Sequence, residues 1–108
     1  MSYLSKLIEK ATDTSLDLEN NQIGNYRVTP QHGSNVTVYH IYKTGAKPSY
    51  SNSTRYKDKE THILTIDIAY PEIRIDWQKD YMTLNERKEV VRILKELYEG
   101  YKIVIEKD

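Results

Sequence analysis

The sequence predicts an α+β domain in the order α-β-β-loop-β-β-α-β: an antiparallel four- to five-stranded sheet with two helices packed on one face. Three observations carry that expectation. Residues 61–77 form the longest alternating apolar run and hold the only Trp. Thr83-Leu84-Asn85-Glu86 has the pattern of a capping box and opens an amphipathic stretch. Alternation resumes over 101–106, just after Gly100. At 108 residues the chain is expected to fold as a single domain, 1–108, and to bury roughly two-thirds of the surface its unfolded form exposes.

Taken in order, Ser2 is placed to cap a helix over 2–11 in which Leu4, Leu7, Ile8 and Ala11 form one apolar stripe. Thr12 to Ser15 compete with helical hydrogen bonding and end it. Residues 13–22 carry Asp13, Asp17 and Glu19 without a base and read as a solvated connector. A short strand is expected over 24–29, with Tyr26 and Val28 on one face, followed by a turn over 30–35. Residues 36–43 form the next strand of this first hairpin. Val36, Val38, His40 and Tyr42 share one side, and Thr37, Tyr39 and Ile41 share the other.

In the central run the apolar parity flips. Leu64, Ile66, Ile68 and Tyr70 are even, whereas Ile73, Ile75 and Trp77 are odd. A straight strand would send the second set to the solvent side. Two geometries restore the phase: a hairpin with Pro71-Glu72 as its loop, or one long strand with a bulge near Pro71. Strand length favours the hairpin. In the following helix Val90, Val91, Leu94, Leu97 and Tyr98 mark the buried stripe, widened by Ile93, and Gly100 suits a left-handed C-terminal stop. The expected core is Leu4, Leu7, Ile8, Val28, Val38, Leu64, Ile66, Ile68, Ile73, Ile75, Trp77, Val91, Leu94, Leu97, Ile103 and Ile105.

Sixteen bases balance sixteen acids, so bulk charge favours neither a polyanion partner nor mimicry of one. With no Cys there is neither a disulfide nor a thiolate metal site. No leader and no bilayer-length apolar run is visible, so the expected location is cytoplasmic and no membrane partner is expected. Ten Tyr, one Trp and no Phe make the aromatic content lopsided toward a residue favoured at interfaces. Abundant Lys, Ile and Tyr with few Ala and Gly fit an AT-rich coding source, such as a low-GC bacterium or one of its phages.

The candidate binding segment is residues 42–59, within a long loop over 44–60 that lacks periodicity. Lys43, Lys47, Arg55, Lys57 and Lys59 against Asp58 leave a local charge of +4, with Tyr42, Tyr50 and Tyr56 interleaved. Bases that neutralise phosphates and aromatics that stack on nucleobases are what single strands require, while a solvated hairpin tip explains the same composition. His32, His40 and His62 lack the spacing that brings two imidazoles to one metal, so no metal or other cofactor is expected. Asp67, Glu72 and Asp76 faintly resemble a Mg²⁺ nuclease set, but the neighbouring base is Arg74, which does not release its proton. Gly24, Gly33, Gly45 and Gly100 are isolated and form no phosphate loop. The expected function is a small non-enzymatic protein-interaction module, an adaptor or inhibitor of the kind phages encode. The alternative is a nucleic-acid-binding protein using loop 42–59. A protein partner is expected, and homodimer formation is left open.

Overall fold

The computed structural model describes residues 6–8, 22–46, 59–78 and 81–106. It is a mixed α+β fold. Helix α1 is described at residues 6–8. Strands β1 (Gln22–Ile23), β2 (Tyr26–Gly33), β3 (Val36–Thr44), β4 (Glu60–Ala69) and β5 (Glu72–Trp77) precede helix α2 (Leu84–Leu97), which leads into β6 (Lys102–Glu106). All six strands form one sheet in sequential order. Every neighbouring pair is antiparallel except β5 and β6, which run parallel on either side of the α2 crossover.

The sheet is therefore larger than the expected four or five strands, and mixed rather than antiparallel. The extra strand is β1, two residues long and joined to β2 by a turn at Gly24 and Asn25, with Gly24 at φ +61°. The parallel pair follows from connectivity: a strand reached through a helix can return in the direction of its predecessor.

The first hairpin is longer than the sequence suggests. Pro30, Gln31, His32 and Gly33 extend β2, and the turn contracts to Ser34 and Asn35, with Asn35 in the left-handed region at φ +62°. Pro30 is tolerated for a specific reason. The bond from Thr44 N–H to the Asn25 carbonyl (2.8 Å) sets the phase in which odd-numbered β2 residues bond to β3. The nitrogen of Pro30 then faces the other side, beyond the end of β1.

At the parity flip the chain does fold back, but the loop is Tyr70-Pro71 rather than Pro71-Glu72. The Tyr70–Pro71 bond is cis, and Glu72 already pairs with Ala69. Ile68 faces Ile73, Ile66 faces Ile75, and Leu64 faces Trp77. This register differs by two from the expected one, so each side chain keeps its face.

One face of the sheet is dry. Val28, Ile41, Ile63, Leu64, Ile66, Ile73, Ile75 and Trp77 are buried in one cluster with Leu7 and Ile8 of α1 and with Val90, Ile93 and Leu94 of α2. Helix α2 begins with the expected capping box: Glu86 N–H donates to Thr83 Oγ1 (3.2 Å), and Thr83 N–H donates to Glu86 Oε1 (2.9 Å). The same carboxylate accepts from the Tyr26 hydroxyl (3.1 Å) and lies 3.8 Å from Lys43 Nζ, tying the helix start to β2 and β3.

Several core assignments change. Val38 lies half-exposed on the opposite face, because the register sets Tyr39 against Ile66 and Ile41 against Leu64. Leu97 and Ile105 are 42% and 51% exposed, at the helix end and on the outer strand. Val91 and Ile103 are partly buried, whereas Tyr26, Tyr39, Val90 and Ile93 are buried. Leu4 lies outside the described residues.

Candidate functional site

The face of the sheet opposite the helices carries the polar chemistry. Cross-strand register places Arg27, Thr29 and Gln31 of β2 there, with Val36, Val38, His40 and Tyr42 of β3. Glu60, His62, Thr65 and Asp67 of β4 follow, then Glu72, Arg74 and Asp76 of β5 and Lys102, Val104 and Glu106 of β6.

A bulge decides which β4 residues reach this face. Ile41 pairs with Leu64, but the next β3 residue, Tyr42, pairs with His62. Ile63 is the extra residue, and it is buried beside Leu64. Strict alternation would place His62 on the even-numbered side with Leu64 and Ile66, inside the core. The additional residue turns it outward instead, next to Tyr42 and diagonal to His40.

The resulting cluster is continuous. The rings of His40 and His62 meet edge to face with centroids 5.5 Å apart, and the Tyr42 ring lies 5.2 Å from that of His62. The Arg27 guanidinium sits 4.5 Å above the Tyr42 ring and is clamped by Glu60 through two bonds of 2.6 and 2.9 Å. The Glu60 hydrogen bond raises the Arg27 pKa, and the same bond holds the Glu60 carboxyl below its ordinary value.

The histidines are joined through Thr65. His62 Nε2 lies 3.1 Å from the Leu64 carbonyl and 2.8 Å from Thr65 Oγ1. A carbonyl only accepts, so Nε2 carries the hydrogen of neutral His62. Thr65 is then free to donate its hydroxyl hydrogen to His40 Nδ1 (3.4 Å), which leaves His40 Nε2 to donate to Gln31 Oε1 (3.4 Å). Burial, and then the neighbouring His40, lower the His62 pKa, while the Leu64 carbonyl and Asp76 act weakly the other way.

Among the described residues no group of three or more His, Asp or Glu has the geometry to hold a metal ion. The histidine pair is bridged by a threonine and flanked by an aromatic ring.

Of the sequence-predicted binding residues, Tyr42, Lys43 and Lys59 are described, and Tyr42 and Lys43 lie on opposite faces of the sheet. Tyr42 lies on the open face, within the cluster. Lys43 points to the opposite face, 5.2 Å above the Tyr26 ring and near Glu86. Alternation along β3 separates these two neighbours in sequence. Lys59 is exposed at the base of the loop, where its carbonyl accepts from Gly45 N–H (3.0 Å). Lys47, Tyr50, Arg55, Tyr56 and Lys57 lie outside the described residues. The Asp67, Glu72 and Asp76 set is spread along the open face, with Asp67 opposite Arg74 and Glu72 3.4 Å from it.

What sequence reading missed is the adjacency of His40, His62 and Thr65. The available signal was the double apolar residue Ile63-Leu64, which breaks alternation within an otherwise regular strand. A concavity of about 530 Å³ lies between α2 and strands β5 and β6, with Trp77, Leu84, Val91 and Ile105 in its wall. No helix among the described residues is long and apolar enough to cross a membrane. Comparisons of the chain with protein-family models, curated proteins and solved structures find no match.

Proposed function

We propose that this protein is a small interaction module that engages a protein partner through the open face of its sheet, centred on Tyr42, His40, His62 and Thr65. The observation that carries the reading is the mutual pinning of these side chains. Arg27 is held by Glu60 and stacked on Tyr42, and Thr65 locks both imidazoles. Ordering side chains before contact lowers the entropic cost of association. Half-buried aromatic and imidazole rings with satisfied polar tips match the composition of protein interfaces.

Charge favours a protein over a nucleic acid. Five carboxylates (Glu60, Asp67, Glu72, Asp76 and Glu106) face outward against three bases (Arg27, Arg74 and Lys102). A surface with this balance repels a phosphate backbone and suits a neutral or basic partner. The basic loop remains the route by which a nucleic acid would bind, and one experiment separates the two.

A photoreactive side chain is installed at Val38, on the open face, or at Lys95, on the exposed side of α2. Covalent capture of one discrete polypeptide from Val38, none from Lys95, and no retardation of single-stranded oligonucleotides at low salt is the expected outcome. Equal capture from both positions would discard the open face as the docking surface. Salt-sensitive oligonucleotide binding would favour the loop.

A further inference from the structure

Strand β6 ends the sheet, and among the described residues no strand pairs with its outer side. Among the described residues the opposite edge, β1, spans two residues, whereas β6 spans five. Its backbone phase is fixed. Lys102 N–H donates to the Pro71 carbonyl at 2.9 Å, so Lys102, Val104 and Glu106 bond inward to β5. Ile103 and Ile105 therefore turn their N–H and carbonyl groups outward. β6 has no proline, and the described ladder shows no bulge in it, so two devices that commonly blunt an edge strand are missing.

We propose that β6 pairs antiparallel with β6 of a second copy of this chain, about a two-fold axis at Val104, fusing the two sheets edge to edge. The sequence Lys102-Ile103-Val104-Ile105-Glu106 is complementary to itself in this register. Ile103 of each copy faces Ile105 of the other, and these are the residues whose outward backbone groups need partners. Lys102 of each copy faces Glu106 of the other, at the closer-spaced positions where cross-strand side chains interact most. Registers shifted by two residues lose the charge pairing and shorten the overlap.

The apolar side of the edge points the same way. Ile105 is 51% exposed and Leu84 67% exposed, and both line the concavity beside β6. A two-fold axis perpendicular to the sheet keeps both dry faces on one side, so each copy shields the other's Ile105. This inference concerns an edge of the sheet and stands apart from the proposed role of the open face.

Sedimentation equilibrium of the full chain from low to high micromolar concentration tests it, with circular dichroism to confirm folding. The wild type is expected to be a concentration-dependent dimer. Lys102→Glu and Glu106→Lys should each weaken it about tenfold by setting like charges opposite each other. The double exchange should restore most of the loss. Ile105→Pro, which removes an outward donor, should abolish it, and the charge series keeps the test readable if that variant fails to fold. A monomer at every concentration would overturn the proposal. So would a dimer indifferent to both the charge series and Ile105→Pro.

Discussion

His40 and His62, on neighbouring strands, meet edge to face with ring centroids 5.5 Å apart, and both bond to the hydroxyl of Thr65. The contact exists because Ile63 bulges out of the β3–β4 ladder and rotates His62 onto the open face. It is the centre of the proposed docking surface, and it has consequences for stability.

The first concerns pH. The folded-state pKa of His62 lies below the ordinary value of 6.5, through burial and then through His40. A histidine with a depressed pKa binds fewer protons folded than unfolded, so stability rises with pH across that interval and falls as pH drops below about 6.5. Glu60 and Glu86, whose carboxyl pKa values are lowered on folding, lose their contributions only at lower pH. The urea midpoint should therefore be lower at pH 5.5 than at 7.5, and His62→Gln should flatten that difference. An unchanged slope in His62→Gln would place the titrating group elsewhere.

Glu86 closes the capping box and accepts from the buried Tyr26 hydroxyl. Burial alone would raise its carboxyl, but the Thr83 backbone bond, Lys43 and the Tyr26 hydroxyl hold it below the ordinary range. Burial, and then Glu86, push the Tyr26 hydroxyl upward in pKa. Glu86→Ala should cost about 2–4 kcal/mol, combining a lost cap with an unsatisfied hydroxyl. Tyr26→Phe should cost less, about 1 kcal/mol. Urea titration of both single variants and the double should show coupling between them.

On α2, Leu94 is fully buried while Leu97 is 42% exposed. Leu94→Ala should cost roughly 2–5 kcal/mol by opening a cavity. Leu97→Ala should cost under about 1 kcal/mol. Thermal or urea unfolding distinguishes the two, and similar losses would mean that the helix is rotated about its axis.

Deleting Ile63 removes the bulge. His62 would then follow directly on Leu64, so regular alternation keeps it on the open face opposite Tyr42 and keeps Thr61 inward, while the core loses an isoleucine. A stability loss of at least about 2 kcal/mol is expected from the lost isoleucine, with the nuclear Overhauser contacts between the rings of residues 40 and 62 retained. Loss of those contacts in a variant that still folds would show that Ile63 is not the extra residue of this ladder.

Much of this architecture is legible in local sequence. Thr83 and Glu86 announce the start of α2, and Leu94 its buried stripe. The parity flip between Ile68 and Ile73 reports a fold-back at Pro71, and its outcome for the faces is insensitive to an error of two in register. Other features escaped for physical reasons. Both sides of β3 are partly apolar, so nothing local chooses Tyr39 and Ile41 over Val38. Pro30 reads as a turn residue until the register of β2 turns its missing N–H away from β3.

By itself, then, the sequence determined the order and kind of the main elements, because capping, periodicity and turn chemistry act within a few residues along the chain. Only the tertiary structure decided which side of β3 is dry, that β6 runs parallel to β5, and that His40, Thr65 and His62 form one cluster. Those depend on pairing between strands distant in sequence. There, one extra residue in a ladder reverses the direction of every side chain beyond it.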